Sequence, residues 1–418
     1  MSMLTRLVLL TITCTSLIFV INTSEAAAHN HQPSHQVMQS KKEKVAICEG
    51  VNIICAKTVT SAFAPNGDLW RLWVVDSNIF YQISTDEGKA FSTTSRVAID
   101  KEKISARNEN RPKIAFDKYQ GVYLSWATPK EKKHTADVRF SYSSDYGKTF
   151  TKPVTVNDDN LLTGHSFNEM SVTDEGDISI VWLDSRLAYQ LRLQGKQTNG
   201  SALYIAKANY RNNEISFSNE QLANNTCVCC RIAMDYNNHG ELAIFWRHIY
   251  GDNIREFALL TLAQDKGAQQ APYQISYDRW KINGCPHQGG AISINDNNRY
   301  HMVWFNQGEV GKGIFYASSN DQGKTLTKPI SVGVKAAQAA HPHLNTNGNN
   351  IDIVWTQFTG TEHQLWHQQS NDNGKSFTQA MMLATATNGS DRPFIVKKGK
   401  RSYVSWHRPK QEHLVQAL

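Results

Sequence analysis

Apolar and polar residues alternate in short runs along most of the chain, and the runs come in pairs. In the clearest pair, the run 111–117 is followed by a turn and by a second run, 121–126, that ends in tryptophan. Alternation with a period of two residues is typical of β-strands that bury one face. A third run follows, as at 138–142 and 313–317, and then a short fourth, as at 153–156. The pattern therefore predicts four strands in each repeating unit.

Tryptophan ends the second run of each unit and recurs with a regular spacing. The closing tryptophans are Trp73, Trp126, Trp182, Trp246, Trp304, Trp355 and Trp406. Successive members lie 53, 56, 64, 58, 51 and 51 residues apart, so seven of the ten tryptophans follow one period. Antiparallel four-stranded units repeated radially are typical of a β-propeller. The sequence therefore predicts an all-β, seven-bladed β-propeller of four-stranded antiparallel blades, with a six-bladed sialidase-type propeller as the alternative.

The last unit, 392–418, has room for three strands only. An open edge strand tends to pair with further chain, and a propeller removes such edges when its ring closes. We therefore expect the N-terminal segment 44–59 to supply the missing outer strand of the last blade and to close the ring.

A Ser-x-Asp-x-Gly motif follows the third run in four of the units. The copies span 84–91, 143–150, 319–326 and 370–377, and each ends in Phe or Leu. In such a turn Asp accepts hydrogen bonds from nearby backbone N–H groups, and Gly permits a positive φ. These segments resemble the Asp box of the bacterial neuraminidase repeat, and the resemblance to the sialidase superfamily covers about residues 60–418. The Asp boxes of that superfamily are structural, so the resemblance implies no catalytic role for them.

The first 28 residues, 1–28, are typical of a secretory signal peptide. Arg6 precedes an apolar stretch at 7–21, and three alanines end the segment. We expect residues 29–44 to form a flexible polar leader with three histidines, and 45–418 to form a single propeller. We therefore expect a periplasmic or secreted protein whose mature chain has no membrane span. The formal charge of +7 is not gathered into a basic stripe with interleaved aromatic residues, so nucleic acid is not an expected partner.

In an antiparallel blade, the residues that open the first strand and those that follow the second strand lie on one face, opposite the Ser-x-Asp-x-Gly turns. Arginine, histidine, cysteine and carboxylate residues gather at these positions of the sequence. The residues expected to bind a ligand there are Arg111, Arg231, Arg247, Arg392, His287 and His341. The alternative is that the arginines join blades through buried ion pairs.

The resemblance to sialidases implies one chemistry for this face. Sialidases hold an anionic sugar carboxylate with three arginines, and they use a tyrosine nucleophile with an acidic acid/base residue. The resemblance implies a cradle of Arg111, either Arg231 or Arg247, and Arg392. It leaves Glu169 and Asp184 as candidate catalytic residues.

The sequence departs from the sialidase pattern in two respects. The early Arg-Ile-Pro segment is absent, since the first unit reads Thr-Ser-Ala-Phe-Ala at 60–64, and no tyrosine lies at an expected nucleophile position. We therefore expect a sialidase-like propeller that binds a small-molecule or glycan ligand, such as an anionic glycan or a soft metal ion. An exo-α-sialidase or related glycoside hydrolase and a protein-interaction platform are the alternatives.

Six cysteines follow the signal peptide, an even number that suggests disulfides in an oxidising compartment. Cys48 and Cys55 are spaced to pair across a hairpin. The other four either form two disulfides or join histidines in a soft-metal site, for which copper or zinc is the expected ion. The candidate metal ligands are Cys227, Cys229, Cys230, Cys285, His287 and His343.

Overall fold

The computed structural model describes residues 50–209, 215–263, 271–333 and 338–418, and β-strands dominate these ranges. The strands are β1 (Val59–Phe63), β2 (Leu69–Val75), β3 (Asn78–Ser84), β4 (Ser95–Arg96), β5 (Lys113–Phe116), β6 (Val122–Pro129), β7 (Ala136–Ser143), β8 (Val154–Thr155), β9 (His165–Val172), β10 (Asp177–Asp184), β11 (Ser201–Asn209), β12 (Ser218–Thr226), β13 (Ala233–Tyr236), β14 (Leu242–Tyr250), β15 (Ile254–Leu262), β16 (Tyr273–Gln274), β17 (Ala291–Ile294), β18 (Tyr300–Gly308), β19 (Gly311–Ser319), β20 (Ile330–Val332), β21 (Gln338–Asn347), β22 (Asn350–Phe358), β23 (His363–Ser370), β24 (Met381–Ala386), β25 (Phe394–Lys398), β26 (Arg401–Trp406) and β27 (Leu414–Ala417).

Helices are few in the described ranges. One α-helix, α1 (Arg186–Leu193), follows β10, and a short 3-10 helix spans Ile53–Cys55. Neither is long and apolar enough to cross a membrane. The expected signal peptide, the polar leader and Cys48 lie outside the described residues.

The strands form antiparallel sheets that follow the sequence repeat. β1–β4, β5–β8, β17–β20 and β21–β24 are four-stranded sheets, and β25–β27 is three-stranded. β9–β12 and β13–β16 belong to one eight-stranded sheet, joined where Thr226 of β12 pairs with His248 of β14. The all-β prediction is confirmed, and the sheets are consistent with a propeller-like fold.

The first strands of successive sheets contact one another in order. These contacts run from β1 to β5, β9, β13, β17, β21 and β25, and β25 in turn contacts β1. Polar contacts join the first and last sheets as well, since the Ser405 hydroxyl donates to Ser61 Oγ at 3.1 Å. The two ends of the sheet series therefore meet.

The sequence predicted that segment 44–59 supplies an outer strand of the last sheet, and for the described residues 50–58 this is corrected. Residues 50–58 hold the 3-10 helix, and no described strand other than β26 pairs with β27. The segment packs instead of pairing, because Ile53 enters an apolar cluster with Trp73 and Phe80. The indole N–H of Trp73 also donates to the Val51 carbonyl at 2.9 Å.

The repeated tryptophans lie on the second strands, and each is at most 1 % exposed. Trp126 shows how they pack, because its cluster joins Leu72 and Ile79 of the first sheet to Leu124 of the second. Each fully buried apolar side chain of this size contributes roughly 1.5–3 kcal/mol, so the tryptophans hold neighbouring sheets together.

The Ser-x-Asp-x-Gly turns share one set of hydrogen bonds. In the second copy the Ser143 hydroxyl donates to Asp145 Oδ1 at 2.7 Å and accepts from Gly147 N at 2.8 Å. The same bonds recur in the other three copies. Each turn also contacts the turn between the first and second strands of the preceding sheet, as where Tyr146 donates to Asp68 at 2.8 Å. The motif turns therefore lie on the face opposite the loops that open the first strands.

Candidate functional site

Two cavities are built from the first strands and from the loops that open them. The smaller, of about 210 Å³, takes lining residues from all seven first strands. The larger, of about 730 Å³, lies among the loops before β5, β9, β13 and β17 and the hairpin between β6 and β7. Some of the residues that the sequence pointed to line one of these cavities, and the others lie elsewhere.

Arg111 lines the smaller cavity and is 1 % exposed. Its Nη1 and Nη2 donate to the Asp391 carboxylate at 2.6 and 2.5 Å, and Nη1 also donates to the Val59 carbonyl at 3.1 Å. The Asp391 carboxylate in turn accepts from the Val59 N–H at 3.2 Å. Arg111 thus forms a buried ion pair that joins the first, second and last sheets.

Arg231 is also buried, at 3 % exposed. Its Nη2 donates to the carbonyls of Gly290 and Pro342, both at 2.8 Å, and its Nη1 lies 3.4 Å from Glu109 Oε1. Arg392 donates through Nη1 to Asn108 Oδ1 at 2.9 Å. Since Asn108 and Glu109 are adjacent, Arg231 and Arg392 meet beside one loop.

Arg111 reaches the same loop, because its Nε donates to the Asn108 carbonyl at 2.6 Å. The structure therefore brings Arg111, Arg231 and Arg392 together around residues 108 and 109. Arg111 and Arg231 pair with Asp391 and Glu109, as in the ion-pair alternative, whereas Arg392 donates to the Asn108 amide.

Arg247 lies apart from that loop and is held by backbone carbonyls. Its Nη2 donates to Phe305 O at 2.6 Å and its Nη1 to Arg255 O at 3.2 Å. The guanidinium stacks on Phe257 and Trp280, at 4.3 and 4.8 Å from the ring centres. Burial lowers the pKa of Arg247 to about 9. Its contacts join the fourth repeat to the fifth, since Arg247 lies in β14 and Phe305 in β18.

The two candidate catalytic carboxylates are engaged in separate places. Glu169 lines the smaller cavity and accepts from Lys113 Nζ at 2.7 Å. Asp184 is fully buried and accepts from the Trp182 indole at 2.8 Å and from Arg186 Nε at 3.0 Å. Neither carboxylate lines the larger cavity.

His165 adds a third group to the Asp184 cluster, and its Nε2 lies 2.9 Å from Asp159 and 3.7 Å from Asp184. Burial lowers the pKa of His165, but the Asp159 hydrogen bond and the two carboxylate charges outweigh it, so the net shift is upward. The cluster is a buried charge network that holds α1 to β9 and β10.

Two of the histidines expected on this face, His341 and His343, have different surroundings. His341 has a positive φ of 54° and a buried Nδ1 without a hydrogen-bond partner among the described residues. Burial and the charges of Arg392 and Arg231 hold its pKa well below the usual range. His343 lines the smaller cavity and accepts from the Ile395 N–H at 3.3 Å, so it lies with the arginines.

Three cysteines lie in the loop between β12 and β13, and Cys285 and His287 lie beside it in the loop before β17. Cys227 and Cys230 form a disulfide, so their sulfurs are not available as metal ligands and the six-residue metal set is corrected. Cys229 and Cys285 remain thiols, and their sulfurs lie within 4.8 Å of each other and of a ring nitrogen of His287. The pKa of Cys229 is raised by burial and by its contact with Cys285.

The larger cavity contains cationic and polar residues that the sequence reasoning missed. The basic and imidazole side chains that line it are Arg107, Lys133, His134 and His287. Asn108, Asn110 and several hydroxyl side chains line it too, and none of its described lining residues is Asp or Glu. The rule that placed the first-strand loops on one face would have found Arg107, had it been applied to the whole loop rather than to strand openings.

Phe167 gives the larger cavity an aromatic wall. It has a positive φ of 57° and lies at a bulge in β9, where the register with β10 shifts. Asn110 Oδ1 accepts from the Phe167 N–H at 3.1 Å and helps to fix this conformation. A strained, non-glycine backbone of this kind is often found beside binding sites.

No protein-family model matches the chain, and none of the curated proteins is similar to it in sequence. Among solved structures, the BP39L lectin from Burkholderia pseudomallei has a TM-score of 0.56 at 10 % identity and covers 87 % of this chain and 99 % of its own. A polysaccharide lyase of family PL25, an ulvan lyase bound to -[GlcA(1-4)Rha3S]-, has a TM-score of 0.53 at 10 % identity and covers 87 % and 93 %. These likenesses show a shared fold.

Sialidases also occur among the solved structures that resemble the chain. The Hadza microbial sialidase Hz136 has a TM-score of 0.48 at 10 % identity and covers 84 % of this chain and 74 % of its own. At that score the likeness supports no conclusion about activity.

Proposed function

We propose that this chain is an exported, seven-bladed propeller that binds an anionic glycan in its larger cavity without hydrolysing it. The observation that carries the proposal is the lining of this cavity, which combines cations, amides and hydroxyls with an aromatic wall and has no carboxylate among its described residues. The contacts between all seven first strands support the blade number. The sequence of the first 28 residues and the disulfide support export.

Each part of the lining matches one part of a charged sugar. Arg107 and Lys133 are exposed, so they can donate charge-assisted hydrogen bonds to a carboxylate or sulfate without breaking internal ion pairs. Amide and hydroxyl groups such as those of Asn110 and Ser166 suit sugar hydroxyls, and Phe167 offers a ring face to the apolar side of a pyranose. A volume of about 730 Å³ falls within the range of ligand sites.

The same geometry argues against a sialidase mechanism. Arg111 and Arg231 pair with Asp391 and Glu109, so binding a sugar carboxylate to these two arginines requires that buried ion pairs be broken. Glycoside hydrolysis ordinarily needs a carboxylate beside the scissile bond. The larger cavity has none among its described lining residues.

Calorimetry with matched sugars tests this proposal. We expect sialyllactose or a uronic-acid oligosaccharide to bind, its neutral counterpart to bind at least about tenfold more weakly, and the affinity to fall as salt increases. Arg107→Ala and Lys133→Ala should each weaken binding about tenfold or more. Lys118→Ala is the control, because that exposed lysine pairs with Glu175 in turns on the opposite face.

Equal binding of charged and neutral sugars, or unchanged binding by Lys133→Ala, contradicts the proposed site. A fluorogenic sialoside assay is run in parallel. Turnover that is lost in Arg392→Ala contradicts a purely binding role and supports the hydrolase alternative.

A further inference from the structure

The cysteine loop beside the larger cavity holds a constellation that glycan binding does not use. Cys229 lies in the turn between β12 and β13, and Cys285 and His287 lie in the loop before β17. Their two sulfurs and a ring nitrogen of His287 all lie within 4.8 Å of one another. Two sulfurs and one nitrogen at this separation match the first coordination shell of a soft metal ion.

The loop around the site is fixed by the neighbouring disulfide. Cys227 and Cys230 are bonded to each other on either side of Cys229, which leaves Cys229 as the one thiol of the turn. The two sulfurs and a ring nitrogen of His287 already lie within 4.8 Å of one another, so the ligand atoms are close together before any ion binds.

Arg255 provides a second, independent sign of a missing partner. It is 7 % exposed, and its Nε and Nη1 have no hydrogen-bond partner among the described residues. Cys229 and Cys285 are the neighbouring groups whose charge, once they ionise, would stabilise it. A buried guanidinium without an anion is costly, and two neutral thiols do not balance its charge.

We propose that Cys229, Cys285 and His287 bind one Cu(I) ion, with Arg255 balancing the charge of the complex. The two thiols lose their protons on binding, so two thiolates and Cu(I) carry a net charge of −1 that the guanidinium neutralises. Zn(II) in the same place gives a net charge of zero and leaves Arg255 unpaired. Thiolate and imidazole ligands are also those that Cu(I) prefers.

The site is reached from the larger cavity, because Cys229, Cys285 and His287 all contribute to its lining. Cys285 and His287 are exposed and Cys229 is buried, so an ion entering from the cavity meets the two exposed ligands first. This inference does not depend on the cavity binding a glycan.

The test is anaerobic titration of the purified full chain with Cu(I) in competition with the chromophoric chelator bicinchoninate. We expect one Cu(I) per chain, release of about two protons per ion, and an X-ray absorption spectrum with two sulfur ligands and one nitrogen ligand. Cys285→Ser should lower the affinity for Cu(I) at least a hundredfold. Because Cys285 is exposed, this substitution should not affect folding. His287→Ala should lower it at least tenfold.

His134→Ala is the matched control, since His134 is likewise exposed, lines the same cavity and has a positive φ of 64°. It should bind Cu(I) as the unchanged protein does. Arg255→Leu should weaken Cu(I) binding at least tenfold and Zn(II) binding less. The difference between the two losses measures how much Arg255 stabilises the negative charge of the Cu(I) complex.

Three results overturn the proposal. They are a Cys229–Cys285 disulfide in freshly purified protein, undiminished Cu(I) binding by Cys285→Ser, and equal losses of Cu(I) and Zn(II) affinity in Arg255→Leu. Because the ligand is a free ion, none of these measurements changes if the glycan proposal fails.

Discussion

Replacing Asp391 by alanine removes the carboxylate that pairs with the buried Arg111 guanidinium. Asp391 accepts from two Arg111 nitrogens at 2.6 and 2.5 Å and from the Val59 N–H at 3.2 Å, and both charged side chains are 1 % exposed. An unpaired buried charge costs about 3–5 kcal/mol. The expected loss in the free energy of unfolding of Asp391→Ala is therefore about 3–5 kcal/mol.

Urea unfolding at pH 7 measures this loss. The matched control is Glu309→Ala, because the Arg279–Glu309 pair is 64 % and 71 % exposed and should contribute at most about 1 kcal/mol. The double variant Arg111→Met, Asp391→Leu removes both charges, so it should recover much of the stability that Asp391→Ala loses. A loss below about 1 kcal/mol in Asp391→Ala, or no recovery in the double variant, refutes the view that this pair holds the sheets together.

Two further predictions concern the blades. Gly147→Ala should destabilise the fold more than Gly389→Ala in the same urea assay. The two glycines have similar φ values, 86° and 88°, but a Cβ at Gly147 would lie 2.6 Å from the Trp70 ring, whereas a Cβ at Gly389 would have no atom within 4 Å. Equal losses in the free energy of unfolding contradict the packing argument. Burial lowers the pKa of His301 to about 3, so as pH falls the imidazole is protonated in the unfolded chain before it is protonated in the folded one. The contribution of His301 to stability is therefore full above about pH 6.5. It declines as pH falls towards 3, by up to about 1.4 kcal/mol per pH unit. His301→Gln should flatten that decline between pH 6.5 and 5, and an unchanged slope contradicts the assignment.

The sheet series was predictable because its signals are local. Alternation over five residues marks a strand, and a tryptophan in each second strand repeats often enough to define the unit. The place of the arginines was predictable in part, since strand direction alone put Arg111, Arg231 and Arg392 near one another. Their partners were not, because Asp391 is 280 residues from Arg111.

The cysteines and the larger cavity mark the limit of sequence reasoning. Six cysteines allow fifteen pairings, and spacing does not choose among them. The disulfide joins Cys227 to Cys230 and leaves Cys229 with Cys285, a division that only the three-dimensional arrangement of two loops decides. Arg107 and Lys133 were missed because they lie in the middle of loops, where no periodicity marks them.

The pairing of Thr226 with His248 places the third and fourth repeats in one eight-stranded sheet, while each other repeat forms a sheet of its own. Cys227, the residue after Thr226, forms a disulfide with Cys230 and so constrains the chain at the same junction between the third and fourth repeats. We therefore expect this junction to resist opening, and thermal opening should begin at a junction without a disulfide. In hydrogen–deuterium exchange, β12 and β14 should keep their amide protons together, and reduction of the disulfide should release both at once.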